Sequence, residues 1–171
     1  DLRMVLDHMD IPVIYVTHDQ EEAFAIADRL LVLHDGRIIQ SGSPAQVYNH
    51  PKSLWLANFF GHTNQLEGIV AQTNPLKVKT ACGLIECNAA LTFTQDQPVK
   101  LVMPSGAARV DTGDENNLPA VVKNVHFQGR DFMIDFQLAS GQVVTFFTDQ
   151  QLTKGQQVNL HIQPSSIICF P

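Results

Sequence analysis

His18 stands directly after an apolar run, at a position that carries ligand-binding groups in many α/β proteins. The run over residues 12–17 is apolar without polar alternation, which is typical of a strand buried on both faces of a parallel sheet. Asp19 then caps a predicted helix, and Glu22 stands three residues further on, at capping-box spacing. Because ligands collect at the carboxyl ends of strands in open α/β sheets, we expect His18 to lie beside a bound phosphate group.

The remaining histidines and the cysteines are dispersed along the chain. None of them has the clustered or C-x-x-C spacing of a metal site, so we expect none. Cys82 and Cys87 flank a predicted strand and are better explained as small apolar residues than as a redox pair. An odd number of cysteines is typical of reduced thiols in a cytoplasmic protein. The residues concerned are His8, His34, His50, His62, His126, His161, Cys82, Cys87 and Cys169.

Composition excludes two classes of function for the chain by itself. Its 171 residues carry a formal net charge of -6, whereas a nucleic-acid surface needs clustered Lys and Arg, so we expect no nucleic-acid partner. No apolar run approaches the ~20 residues that a membrane-spanning helix needs. Any membrane association is therefore expected to pass through a partner protein.

The chain divides into two regions of different texture. Residues 1–61 predict an α/β region with a helix over 2–9, a hairpin turning at Asp35–Gly36, and two later helices capped by Ser43 and Ser53. Residues 64–171 alternate short β-rich runs with turn residues and predict a mainly β, OB-fold-like barrel region. A weak repeat relates about 64–110 to about 118–171, through echoes such as Leu66-x-x-Ile69-Val70 with Leu118-x-x-Val121-Val122.

The first region also carries a dense set of motifs. They are Val16-Thr17-His18-Asp19-Gln20-Glu21-Glu22-Ala23, Ala27-Asp28-Arg29, Gly36-Arg37-Ile38, Gly42-Ser43-Pro44 and Val47-Tyr48. This set resembles the ATP-binding subunits of ABC importers. By that resemblance, residues 1–61 are the carboxyl-terminal end of a nucleotide-binding domain. Residues 64–171 are similar, by position and texture, to the regulatory TOBE domain that follows it.

The resemblance implies a role for one residue and a setting for the whole subunit. His18 is expected to be the switch histidine, which contacts the γ-phosphate of ATP and helps to place the attacking water. Phosphoryl transfer depends mainly on positioning and on stabilising charge, which an imidazole can do by donating a hydrogen bond. The parent protein would use ATP and Mg²⁺ as a homodimer on the cytoplasmic face of the inner membrane. Its partners would be membrane permease subunits and, indirectly, a periplasmic solute-binding protein.

Two features of the sequence limit the activity that we expect of this chain alone. It contains no Gly-x-x-x-x-Gly-Lys-Ser/Thr loop, no family signature motif and no Walker B carboxylates, so we expect it to bind no cofactor and to be inactive as an ATPase. It begins in the middle of a helical pattern, and we interpret it as the carboxyl-terminal piece of a longer protein. Among cargoes, the string over residues 19–25 favours ferric iron over polyamine, sulfate or sugar.

Two alternatives to the transport ATPase remain open from the sequence. The barrel region would act as a free-standing solute sensor without catalysis, which the internal repeat supports and the lack of a basic cluster opposes. Alternatively, it would serve only to stabilise a dimer. Both alternatives place the function in residues 64–171 rather than at His18.

Overall fold

The computed structural model describes His8, residues 11–88, residues 91–110, Gly113 and residues 116–171. The chain forms two compact units, Asp1–Phe60 and Gly61–Pro171. In the described part of the chain, no helix combines the length and the apolar character needed to cross a bilayer.

Over its described residues, the first unit contains three short helices and one hairpin. Its elements are α1 (Gln20–Ile26), β1 (Leu30–His34), β2 (Arg37–Gly42), α2 (Pro44–Asn49) and α3 (Leu54–Phe59). Asp35 and Gly36 form the hairpin turn with φ of 47° and 72°, the left-handed conformation that a two-residue turn between antiparallel strands requires. Ser43 and Ser53 cap α2 and α3 through their side-chain oxygens. The predicted hairpin and both predicted caps are confirmed.

The small core of this unit lies between the hairpin and the two later helices. Val32, Val47, Leu56 and Phe60 are all buried, and Phe24 of α1 packs against them at the edge. Because the buried set is small, much of the unit's apolar surface stays in solvent. Helix α1 accordingly has no fully buried residue.

The predicted strand over residues 12–17 is wrong for the structure described. These residues have no regular secondary structure, and the side chains of Ile14 and Val16 are 89% and 88% exposed. A strand needs a neighbour to pair with, and within the described residues β1 and β2 pair only with each other, antiparallel. The predicted helix over 2–9 lies outside the described residues, apart from His8. The assignment of residues 1–61 to a nucleotide-binding domain stays a prediction.

The second unit is almost entirely β structure, as the sequence predicts. Its described residues form ten strands and one short 3-10 helix: β3 (Asn64–Thr73), β4 (Leu76–Thr80), β5 (Gly83–Glu86), β6 (Pro98–Met103), β7 (Ala108–Val110), β8 (Asn117–Phe127), β9 (Phe132–Leu138), β10 (Val143–Thr148), β11 (Gln157–Ile162), η1 (Pro164–Ser166) and β12 (Ile168–Phe170).

These strands form two five-stranded antiparallel sheets with equivalent orders. Sheet 1 runs β12-β6-β3-β4-β5, and sheet 2 runs β7-β11-β8-β9-β10. Strands β6, β3, β4 and β5 of sheet 1 correspond, in that order, to β11, β8, β9 and β10 of sheet 2. At the remaining edge the halves are exchanged: sheet 1 has β12 and sheet 2 has β7. The first half of the unit therefore supplies its last strand, β7, to the sheet of the second half, and the second half returns β12.

At one edge of each sheet, a backbone N–H bonds to a carbonyl of chain outside that sheet. The Phe147 N–H at the edge of sheet 2 donates to the Ser105 carbonyl over 2.8 Å. The Asn88 N–H, just after β5 of sheet 1, donates to the Pro164 carbonyl over 3.0 Å. Pairing these groups removes the exposed edges that would otherwise invite association with another chain.

Two asparagines complete this edge protection in matching ways. The buried Asn64 side chain accepts from the Thr145 N–H and donates to the Thr145 carbonyl, both over 2.7 Å. Asn116 makes the same pair of bonds with the Glu86 backbone, both over 2.7 Å, and also donates to the Ile162 carbonyl over 3.0 Å. We call Asn64 and Asn116 the two asparagine clamps.

The two sheets share one continuous hydrophobic core. Fully buried side chains come from sheet 1 and from sheet 2 alike, so neither sheet has a separate core. The largest of them are Phe136, Phe146, Ile85, Leu101, Met103, Ile134, Leu160, Ile162 and Ile167.

Candidate functional site

His18 lies on an exposed loop that enters α1, and the residues around it are fixed by hydrogen bonds. The Thr17 hydroxyl accepts from the Asp19 N–H over 3.0 Å and donates to the Glu22 carboxylate over 2.7 Å. The Tyr15 hydroxyl donates to the other oxygen of that carboxylate over 2.8 Å. These bonds hold the backbone on both sides of His18, so its position depends on a local network rather than on a strand.

Only half of the predicted capping box forms at this helix. The Asp19 carboxylate accepts from the Glu22 N–H over 3.1 Å, as predicted. The Glu22 carboxylate is engaged by Tyr15 and Thr17, and the Asp19 N–H bonds to Thr17 instead. The hydrogen bond to Glu22 raises the pKa of Tyr15, with smaller contributions from burial and from nearby negative charge, because ionising the phenol would place two anions together.

The imidazole of His18 points into solvent. Within the part of the chain that the structure describes, no hydrogen bond or ion pair engages it, which leaves both ring nitrogens available to an incoming group. Such a ring can donate one hydrogen bond to an anionic oxygen and accept one from water. His18 is the one site residue that the sequence predicts, so no second predicted residue could be found beside it.

The histidines and cysteines expected to be without a metal role are spread over both units. Across the described residues, no group of three or more His, Cys, Asp or Glu side chains is arranged to hold a metal ion. His34 stacks on Trp55 with ring centroids 3.9 Å apart, which gives it a structural contact beside the hairpin turn.

Sheet 2 carries a shallow groove of about 640 Å³ on its outer side. Its polar groups are neutral amides, and no ionisable side chain contributes to its lining, so it offers hydrogen bonds but no charge to an ion. Residues that line it include Pro119, Val121, Gln137, Ala139, Gln157 and Asn159.

The sequence interpretation missed the two asparagine clamps, Asn64 and Asn116. The asparagine clamps had a detectable signal, since an Asn stands two residues before the leucine that opens each repeat, at Leu66 and Leu118.

Comparison with known proteins places the chain beside import ATP-binding proteins. Residues 102–170 match the TOBE domain family. The spermidine/putrescine import ATP-binding protein PotA of Borrelia garinii is 29% identical over 168 residues, which are 98% of this chain and 47% of that protein. PotA of Mesorhizobium japonicum is 33% identical over 85% of this chain and 40% of that protein. The sulfate/thiosulfate import ATP-binding protein CysA of Burkholderia mallei is 31% identical over 99% of this chain and 49% of that protein.

The fold is related to that of a solved structure. The cytoplasmic molybdate-binding protein ModG, solved with molybdate bound, superposes with a TM-score of 0.58 over 64% of this chain and 96% of its own. The sequence identity is 14%, so this likeness concerns the fold alone. The chain spans about half the length of the curated relatives that it matches.

Proposed function

We propose that this chain is the carboxyl-terminal, TOBE-containing regulatory part of the ATP-binding subunit of an ABC importer. The whole subunit would couple ATP hydrolysis to uptake of a solute. The observation that carries this proposal is the similarity to import ATP-binding proteins over 98–99% of the chain, through both structural units.

In the proposed mechanism, His18 supplies one of the contacts to the transferred phosphate. Bound ATP would supply the phosphoryl group, and the imidazole would donate a hydrogen bond to the charge that develops on its oxygens. The solvent-facing ring and the bonds from Thr17 and Tyr15 to Glu22 fit this role, because they hold the loop while leaving the imidazole free. The printed sequence holds no phosphate-binding glycine loop, so the remaining contacts must come from outside these residues.

A chimera tests this proposal directly. The carboxyl-terminal part of PotA from Escherichia coli, which is 29% identical over the matched 151 residues, would be replaced by this chain. We expect the chimera to hydrolyse ATP and the 171-residue chain alone to be inactive. His18→Ala should lower ATP turnover by about 100-fold or more, which is typical of losing one group that stabilises transferred charge.

The matched control for that variant is His50→Ala. His50 is also an exposed histidine of the first unit, and only its backbone makes hydrogen bonds there. Its removal should leave turnover within about two-fold of the parent chimera. Equal turnover in the His18 and His50 variants, or a folded chimera no more active than the isolated chain, would contradict the proposal.

The setting of the subunit is part of the same proposal. It would lie at the cytoplasmic face of the inner membrane, pair with a second copy, and act on permease subunits supplied by a periplasmic solute-binding protein. The relatives reported above import polyamines and sulfate, and none of them supports the ferric iron that the sequence favours. Uptake assays with spermidine, sulfate and ferric citrate would distinguish these cargoes.

A second candidate function is direct solute binding by the β-rich unit. Its support is the likeness in fold to ModG, a molybdate-binding protein. Isothermal titration of the chain with molybdate, sulfate, ferric citrate and spermidine tests it. Micromolar binding of one solute would favour a sensor, whereas no binding up to about millimolar concentration would leave the barrel a regulatory or dimer-stabilising element.

A further inference from the structure

The groove on sheet 2 is lined by side chains from three adjacent strands. Gln157 of β11, Val121 of β8 and Gln137 of β9 stand opposite one another in one row across the sheet. Asn159 and Pro119 pair in the neighbouring row. Residues two apart in a strand share a face, and those between them turn toward the core. These five side chains therefore lie together on the outer face of the sheet.

Neutral amides supply the polar groups of this groove. The Gln137 side chain donates to the Gly141 carbonyl over 3.3 Å. Gln157 and Asn159 are exposed, and within the described residues no hydrogen bond engages their amide groups. Each amide offers two donors and one carbonyl acceptor. Two full sets of hydrogen-bonding groups are thus available to an incoming molecule.

The corresponding face of sheet 1 carries charged side chains instead. With the two leucines that open the repeats aligned, Glu67 and Lys100 take the places of Pro119 and Asn159. Their side chains form an ion pair with nitrogen and oxygen 3.4 Å apart. Lys79 stands in the place of the β9 glutamine. The two halves share one strand arrangement, but an ion pair lies across sheet 1 where sheet 2 has an uncharged groove.

We propose that this groove is a binding site for a neutral, hydroxyl-rich small molecule of the size of a mono- or disaccharide. Hydroxyl groups donate and accept hydrogen bonds, as carboxamides do, so neighbouring amides match neighbouring hydroxyls. The Pro119 ring and the Val121 methyl groups would contact the C–H face of such a molecule. The groove measures about 640 Å³, within the range of roughly 300–1,000 Å³ that is usual for small-molecule sites.

The uncharged lining disfavours ionic solutes at this place. An ion that leaves water needs an opposite charge or many aligned dipoles, and the lining contains no ionisable side chain. The proposal rests on the direct solute binding offered above as the second candidate function, and it gives that binding a place and a class of ligand. It does not depend on ATP hydrolysis, so the chimera assay and a binding assay can fail separately.

Titration of the isotope-labelled full chain with glucose, maltose and myo-inositol, followed by NMR of the side-chain amides, tests the site. Because the groove is shallow, we expect at least one of the three to bind saturably with a Kd of about 0.1–10 mM. The amide signals of Gln157 and Asn159 should shift, and sulfate or spermidine at the same concentration should leave them in place. The proposal is overturned if none of the three shifts these signals at about 50 mM, if binding maps elsewhere, or if sulfate shifts them equally.

Moving the ion pair of sheet 1 into the groove gives a specific variant. Pro119→Glu combined with Asn159→Lys copies Glu67 and Lys100, which the same strand arrangement already accepts in sheet 1. The double variant should fold and bind at least about 10-fold more weakly, because charged side chains replace the uncharged lining.

A milder variant and a matched control complete the test. Gln157→Ala removes one exposed amide and should weaken binding by about 3- to 10-fold, as expected for one hydrogen bond. The control, Glu67→Gln with Lys100→Gln, removes the ion pair of sheet 1 and should keep the parent affinity. Parent affinity in both groove variants, or an equal loss in the control, would contradict the assignment.

Discussion

Removing the Asn64 clamp should destabilise the second unit by a large fraction of its stability. In Asn64→Ala the N–H and the carbonyl of Thr145 both lose their partner, at the edge of sheet 2. Leaving a buried polar group unpaired costs about 1–3 kcal/mol, and Thr145 is half-buried, so two such groups cost about 2–4 kcal/mol. Small domains are stable by only about 5–15 kcal/mol, so this loss is easily measured.

Urea unfolding followed by far-UV circular dichroism gives the free energy of unfolding for this variant. The only tryptophan, Trp55, belongs to the first unit, so its fluorescence gives a separate reading of that unit in the same samples. Gln137→Ala is the matched control, because it removes one exposed, local hydrogen bond and should cost less than about 0.5 kcal/mol. If Asn64→Ala costs no more than the control, water replaces the lost bonds and the clamp does not hold the edge.

Two further predictions concern a close contact and an ionisable group. Gly68→Ala should lower the free energy of unfolding by about 1–3 kcal/mol, because the added Cβ would overlap the Val78 side chain and lie 2.8 Å from a backbone oxygen. Gly106→Ala is the control: its Cβ would meet open space, so the same urea unfolding measurement should show almost no change. Glu22→Gln should lower the pKa of Tyr15 toward 10.0, measured by phenolate absorbance, because the carboxylate that opposes ionisation is gone. With Glu22 intact, folding raises the pKa of Tyr15, so the associated stability is present at neutral pH and is lost as the pH rises through the folded-state pKa. If Glu22→Gln leaves the titration of Tyr15 unchanged, the hydrogen bond is excluded.

Local chemistry explains the parts of the fold that could be predicted from sequence. The Asp35–Gly36 turn and the Ser43 cap depend on residues within a few positions of each other, and both form as predicted. The apolar run over 12–17 shows the limit of this reasoning. Apolar side chains fit a buried strand, but a strand also needs a paired neighbour, and the run alone does not provide one.

The second unit shows that local sequence patterns also fail to predict long-range strand pairing. Short β-rich runs between turn residues predicted its β content, but they carry no information on whether β7 pairs within its own half or with the other one. The pairing of β12 with β6 depends on that exchange, because β12 belongs to the second half of the unit. Residues so far apart in sequence are brought together by topology, which no local pattern encodes. His18 was predicted from motif and position, and its role stays a prediction.

The exchange of β7 and β12 has a consequence for how such a chain could arise. A single half, cut from the rest, would lack the strand that finishes its own sheet. It could regain that strand by trading with a second identical polypeptide, as two partners in a swapped dimer do. The present arrangement is thus equivalent to such a dimer fused end to end, with the linker making the trade permanent and independent of protein concentration.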